Sequence, residues 1–190
     1  MAKVEKKLNK FQNILSFNQP EKFRGKNKVI VQFWWIVQST IFACSPQFMY
    51  RWRVWLLRTF GAEIGANVII RPSAKVTYPW KLKIGDNCWV GDEVTLYTLG
   101  CITIGDNVVI SQRSYICTGS HDYQKTTFDI YAKEINIENE AWVSTDVFIA
   151  PGVTIGRAAV IGARSSVFSD MPGEMVCIGA PARPIKHRLN

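Results

Sequence analysis

Two histidines occur among the 190 residues, His121 and His187. His121 stands in the segment TGSHDYQKTTFDIYAKE (118–134), with Gly119 and Ser120 before it and Asp122 after. An imidazole in such a loop can take a proton at physiological pH, which suits activation of an alcohol for attack on an electrophile. By residue type alone a lone histidine is more often structural, and it is the loop setting that points to chemistry. At the C-terminal end, Arg183, Lys186 and Arg188 place three cations within six residues. That cluster suits phosphate groups, although a merely solvated basic tail has the same composition. Two histidines and no CxxC pair among five cysteines fall short of a three-histidine zinc site, so no metal is expected.

The elements that must position these residues are written in an aliphatic side chain that returns every six residues. It occurs at Ile64, Ile70 and Val76, at Ile84, Val90 and Leu96, and at Ile104, Ile110 and Ile116. After a gap it resumes at Ile137, Val143, Ile149, Ile155, Ile161 and Val167. Neither a helix nor a single strand buries one residue in six. A solenoid with three flat faces does, each face contributing one short strand and a turn to every coil. The steps from Ile64 to Ile84 and from Ile84 to Ile104 are 20 residues, so two extra residues fall at a corner near Trp80–Lys83 and near Gly100–Thr103. From Ile104 to Ile137 the step is 33, so about 15 residues leave the repeat there, and they carry His121. An irregular excursion of that size from a tight repeat marks a functional loop. The expected division is a helical arm over 1–62, a solenoid over 63–172 with the excursion at 118–136, and a short basic tail over 173–190.

The net charge of +8 is unevenly placed. Residues 1–60 hold eleven Lys and Arg against Glu5 and Glu21, whereas the remainder is close to neutral. The stretch 29–45 is apolar but carries Gln32 and Gln38, and at 17 residues it falls short of the roughly 20 that cross a bilayer. In 48–60, Arg51, Arg53 and Arg58 alternate with Trp52, Trp55, Leu56 and Leu57. Two helices joined at Pro46 are expected. They either cap the open end of the solenoid or lay tryptophan and arginine on an anionic membrane surface, or both. No nucleic-acid motif accompanies the charge. The start of the chain has no apolar run of the kind that signals secretion, and scattered thiols suit a reducing compartment, so a cytoplasmic location is expected.

The repeats, the SQRSYICTGSHDY segment (111–123), Trp142, IAPGVTIG (149–156), VIGARSSV (160–167) and GAPARPIK (179–186) resemble the hexapeptide-repeat acyltransferases. Within them the closest resemblance is to the O-acetyltransferases of exopolysaccharide (colanic acid) biosynthesis. The resemblance covers roughly residues 60–188. It implies an all-β solenoid, a left-handed parallel β-helix, assembled as a homotrimer with active sites between subunits. It implies acetyl-CoA as co-substrate and a sugar hydroxyl in extracellular polysaccharide assembly as acceptor. Other acceptors on the same scaffold are serine, amino sugars and xenobiotics, and a non-catalytic scaffold is the remaining alternative. His121 would be the general base, and a backbone N–H near Ser144 or Thr145 the donor to the oxyanion. Trp142, Ser144, Thr145, Ala163 and Arg164 would line the donor groove, with Arg183 and Lys186 on the CoA phosphates. Glu93, in VGDEVTLY (90–97), takes the place of an acceptor-side asparagine. Either Glu93 or Asp122 would orient His121, and both also read as ordinary exposed turn carboxylates. Ser144 stands where the family has glycine after the Trp-Val pair. The basic arm adds a possible contact with the inner face of a membrane.

Overall fold

The computed structural model describes residues 11–20 and 23–189. From Glu63 onward the chain winds into a parallel β-solenoid of short strands stacked into three sheets. Face A stacks Glu63–Ile64, Leu82–Ile84, Ile102–Ile104, Ile135–Ile137 and Thr154–Ile155. Face B begins Ile69–Ile70, Trp89–Val90, Val109–Ile110, Trp142–Val143 and Val160–Ile161. Face C stacks Lys75–Val76, Thr95–Tyr97, Tyr115–Cys117, Phe148–Ile149 and Ser166–Val167.

Registry follows the sequence period. Ile64 pairs with Ile84, Val90 with Ile110, and Ile116 with Ile149. All fifteen periodic aliphatic side chains are buried in one continuous core. Because parallel strands are hydrogen-bonded rung to rung, this column of aliphatic contacts and the backbone ladder reinforce each other. The extra residues appear where the spacing puts them, one pair as a 3-10 turn at Pro79–Lys81. Glycine follows the face A strand in four of its five coils, at Gly65, Gly85, Gly105 and Gly156, with Glu138 in the remaining one. A Cβ on Gly85 would lie 2.2 Å from Asp106 Oδ1, which is held there because it accepts from the Asp86 N–H at 2.7 Å.

The arm caps the open end. Helix α1 spans Lys28–Val37, capped by Asn27, whose side chain accepts from the Ile30 N–H, and it continues as a π turn to Phe42. Helix α2 spans Tyr50–Thr59. Trp34, Phe42, Val54, Leu56 and Leu57 join the solenoid core. Polar side chains of the arm satisfy the exposed edge of the first coil on every face. Arg58 Nε donates to Ile64 O on face A (3.0 Å) and Arg53 Nε to Ile70 O on face B (2.6 Å). On face C, Trp34 Nε1 donates to Val76 O (2.8 Å), and the Gln38 side chain accepts from the Val76 N–H (2.6 Å). An uncovered edge would template strand addition, so this covering is a device against association as well as a cap.

Two stretches differ from expectation. The presumed tail is not loose: Met175–Gly179 adds a parallel rung to face B, and Ala182–His187 folds back antiparallel upon it. Val160 and Ile161 leave a rung to be filled, and the alternation in MVCIG fills it with Cys177 inward. The excursion after Cys117 is also ordered, with Gly119–His121 paired antiparallel to Ile130–Ala132.

Candidate active site

The excursion is rooted by Thr118, a residue that periodicity did not single out. Its hydroxyl donates to Tyr97 O (2.6 Å) and accepts from the Gly100 N–H (2.8 Å), and its carbonyl accepts from the Lys133 N–H (2.8 Å). Gly119 follows because a Cβ there would lie 2.5 Å from Leu99 Cδ1. The next two residues bring His121 out to a partly exposed position on the corner between faces C and A.

The imidazole is oriented by a backbone group. His121 Nδ1 lies 2.8 Å from Phe128 O, and a carbonyl can only accept. Nδ1 therefore carries the proton, and in the neutral ring Nε2 keeps its lone pair. Phe128 also stacks its ring on the imidazole, with centroids 4.2 Å apart and planes at 7°. Phe128 adopts φ = 52°, a left-handed conformation costly for a bulky side chain, stabilised in part by a turn in which its N–H donates to Lys125 O at 2.9 Å. Its signal in sequence is slight, because an aromatic residue seven positions after a histidine has no recognisable spacing.

Neither of the two carboxylates expected to orient His121 is hydrogen-bonded to its imidazole among the described residues. Asp122 Oδ1 accepts from the Gln124 N–H at 3.0 Å, and the group lies 4.0 Å from Lys125. Glu93 sits at the corner between faces B and C, with φ = 58°, and its N–H donates to Ser73 Oγ at 3.0 Å. That corner stacks Glu93, Arg113, Asp146 and Arg164, all in the left-handed region. Arg113 grips Asp146 through two bonds of 2.8 Å, with Arg164 Nε at 3.9 Å. The hydrogen bonds from Arg113 hold the Asp146 carboxyl below its ordinary range, and those same bonds raise the Arg113 guanidinium.

The residues expected on the donor side gather along face B and this corner. Trp142, whose Nε1 donates to Ser111 Oγ at 3.0 Å, lies in a groove of about 460 Å³ with Trp89, Arg71, Asp92 and Tyr50. Ser144 is buried and its backbone N–H is spent on Ile161 O at 2.9 Å, so that N–H is not free for an oxyanion. The Thr145 N–H carries no hydrogen bond among the described residues, while its hydroxyl donates to Gln112 O at 2.9 Å. Ala163 and Arg164 are exposed one rung further on. Arg183 and Lys186 are exposed on the returning strand of the terminal hairpin. Arg188 is drawn away from them, donating to Glu140 O (2.8 Å) and Ala158 O (3.0 Å).

Within one chain, face C separates the donor-side corner from His121. Five residues of extended chain, from Arg113 to Thr118, span roughly 16 Å. No cluster of three or more histidine, cysteine or acidic side chains able to hold a metal ion occurs among the described residues.

The three-faced parallel solenoid is shared with solved hexapeptide-repeat acetyltransferases. One from Vibrio cholerae, solved with acetyl coenzyme A, superimposes with a TM-score of 0.77 at 25% identity, over 86% of this chain and 89% of the other. A galactoside acetyltransferase in complex with coenzyme A gives 0.79 at 28% identity, over 90% and 84%. In sequence, a protein of Escherichia coli K12 named for colanic acid biosynthesis acetyltransferase is 60% identical over 94% of this chain and 98% of its own length. No family model matches the chain. On these grounds the chain belongs to the hexapeptide-repeat acetyltransferases.

Proposed function

We propose that this protein transfers the acetyl group of acetyl-CoA to a sugar hydroxyl during assembly of an extracellular polysaccharide. The observation that carries the reading is the engagement of His121 Nδ1 by Phe128 O, which leaves Nε2 as a base at the edge of an ordered loop. His121 Nε2 takes the acceptor hydroxyl's proton as that oxygen bonds to the thioester carbonyl carbon. The carbon–sulfur bond then breaks, the thiolate leaves, and the imidazolium returns the proton to sulfur. General base assistance of this kind contributes about 10²–10⁴-fold. The Thr145 N–H is the candidate donor to the carbonyl oxygen as charge develops on it. Trp142, Ala163 and Arg164 line the donor groove, and Arg183 and Lys186 face the phosphates of CoA. Glu93 and Asp122 act on the acceptor side, through hydroxyl binding rather than by orienting the imidazole of their own chain.

Because His121 and the donor-side residues occupy different corners, a complete site forms between copies, which favours the homotrimer that the family resemblance implies. A membrane-surface contact on the cytoplasmic side completes the reading. Among the described residues no helix is long and apolar enough to cross a membrane. On α1, however, Val29, Phe33 and Ile36 are exposed at a spacing that puts them on one face, and Phe48 and Trp55 are exposed nearby in sequence beside Arg51.

The experiment is acetyl-CoA-dependent thiol release with a panel of sugars, beside calorimetric titration of CoA. His121→Ala should lower kcat by about 10²–10⁴-fold while CoA binding persists. Arg183→Ala should weaken CoA by about 1.5–3 kcal/mol, the range for a charged hydrogen bond. Near-normal turnover without His121, or absence of CoA binding by the wild type at millimolar ligand, overturns the reading.

A further inference from the structure

The segment before α1 reaches the candidate catalytic loop. Gly25 lies against Trp80, whose Nε1 donates to Arg24 O at 2.7 Å, and Lys81 Nζ donates to Phe23 O at 2.7 Å. These contacts anchor residues 23–25 on the corner between faces C and A in the first coil. Further toward the N-terminus the chain touches the same corner again, two coils away. The Asn13 N–H donates to Thr126 O at 2.7 Å, inside the excursion that bears His121. A 3-10 turn at Ile14–Ser16, closed by Ser16 Oγ donating to Asn13 O at 2.7 Å, then presents Phe17. The Phe17 ring centroid lies 6.0 Å from that of His121, with the planes tilted at 56°.

His121 therefore has three ring-orienting contacts: Phe128 O on Nδ1, the Phe128 ring stacked upon it, and the Phe17 ring. The first two belong to the same excursion as His121, and a two-stranded hairpin is by itself only marginally stable. The third comes from a separate segment fastened to the solenoid. We propose that Phe17 is a positioning residue for His121, bracing the imidazole so that Nε2 stays aimed at the acceptor hydroxyl. This rests on the acetyl-transfer reading for its consequence in rate. The bracing itself is a statement about the ring.

The test uses the full chain labelled with ¹⁵N-histidine, in which two imidazoles give signals. The wild type should show the Nδ1-protonated tautomer at His121. Phe17→Ala should move those signals toward tautomer averaging and lower kcat about ten- to a hundredfold, as expected for a misplaced base. The KM for acetyl-CoA should stay within about twofold, because the donor side is untouched. Phe17→Leu, which retains apolar bulk, should recover most of the rate. If Phe17→Ala keeps both the wild-type kcat and the wild-type His121 spectrum, the proposal is overturned. It is equally overturned if kcat falls with the spectrum unchanged, since the loss then runs through another route. Spectral change in a protein whose wild type transfers no acetyl group supports the bracing and overturns the acetyl-transfer reading instead.

Discussion

Replacing Arg53 with methionine separates the capping role of the arm from a membrane role. Arg53 is fully buried, and its guanidinium makes four hydrogen bonds: to Ile70 O (2.6 Å), Ser45 Oγ (2.8 Å), Pro46 O (2.9 Å) and Gln47 O (2.6 Å). Methionine keeps most of the aliphatic stem, so the change is one of polar satisfaction more than of volume. The bond to Ile70 O lies in the interior, and its loss costs about 1.5–3 kcal/mol. The other three partners are only partly buried and recover water, for a further ~1–2 kcal/mol together. Against this stands relief of the desolvation that already pulls the Arg53 pKa down. The net expectation is a loss of about 2–4 kcal/mol, or a Tm lower by roughly 4–16 °C for a chain of this size. Urea denaturation followed by circular dichroism at fixed protein concentration reads it, with the exposed Arg51→Met as a control expected within about 0.5 kcal/mol. A loss below about 1 kcal/mol for Arg53→Met, or lost vesicle binding with stability intact, would refute the assignment of Arg53 to the cap.

The remaining predictions concern pH, the membrane and the site. A carboxyl group whose native pKa is depressed adds stability above its unfolded value near 3.9 and loses it as pH falls through the native value. Asp146, held down by Arg113, is such a group. Asp146→Asn should therefore flatten the dependence of stability on pH below about 4, and superimposable acid limbs for the two proteins would count against it. Phe33→Ser combined with Ile36→Ser should reduce flotation with anionic vesicles while leaving the fold intact. Deleting the arm is the wrong test, since Trp34, Phe42 and Leu57 belong to the core. Undiminished flotation of the double variant would end the membrane proposal. The His121→Ala and Arg183→Ala variants read the base and the donor site, the first through kcat and the second through CoA affinity.

Much of the fold was legible because a solenoid is quasi-one-dimensional. Each coil contacts its neighbours in register, so one aliphatic residue in six reports the interior directly, and the interruption between Ile116 and Ile137 reports the excursion. The same reasoning offered the cap as one of two readings of the arm, beside a membrane contact, because apolar helices need a partner surface. It did not reach the use of Arg53 and Arg58, because a cation in a basic-aromatic stretch looks alike whether it meets lipid or a backbone carbonyl. Nor did it foresee the terminal hairpin. Basic residues around two prolines read as a tail, whereas the open rung beside Val160 and Ile161 exists only once the solenoid is assembled.

The candidate site divides along the same line. The sequence by itself determined the coil period, the register, the place of His121 on an excursion, and the clustering of Arg183 with Lys186, all of which are local patterns. Tertiary structure alone decided what surrounds the imidazole. A backbone carbonyl at Phe128 replaces the carboxylate that residue types suggested, and Phe17 arrives from more than a hundred positions away. It also decided that the Ser144 N–H is consumed by the ladder and that Arg188 is drawn off to another corner. Main-chain acceptors are present at every residue and carry no signature in the amino-acid types. Which of them meets a given side chain is set by the path of the chain through space.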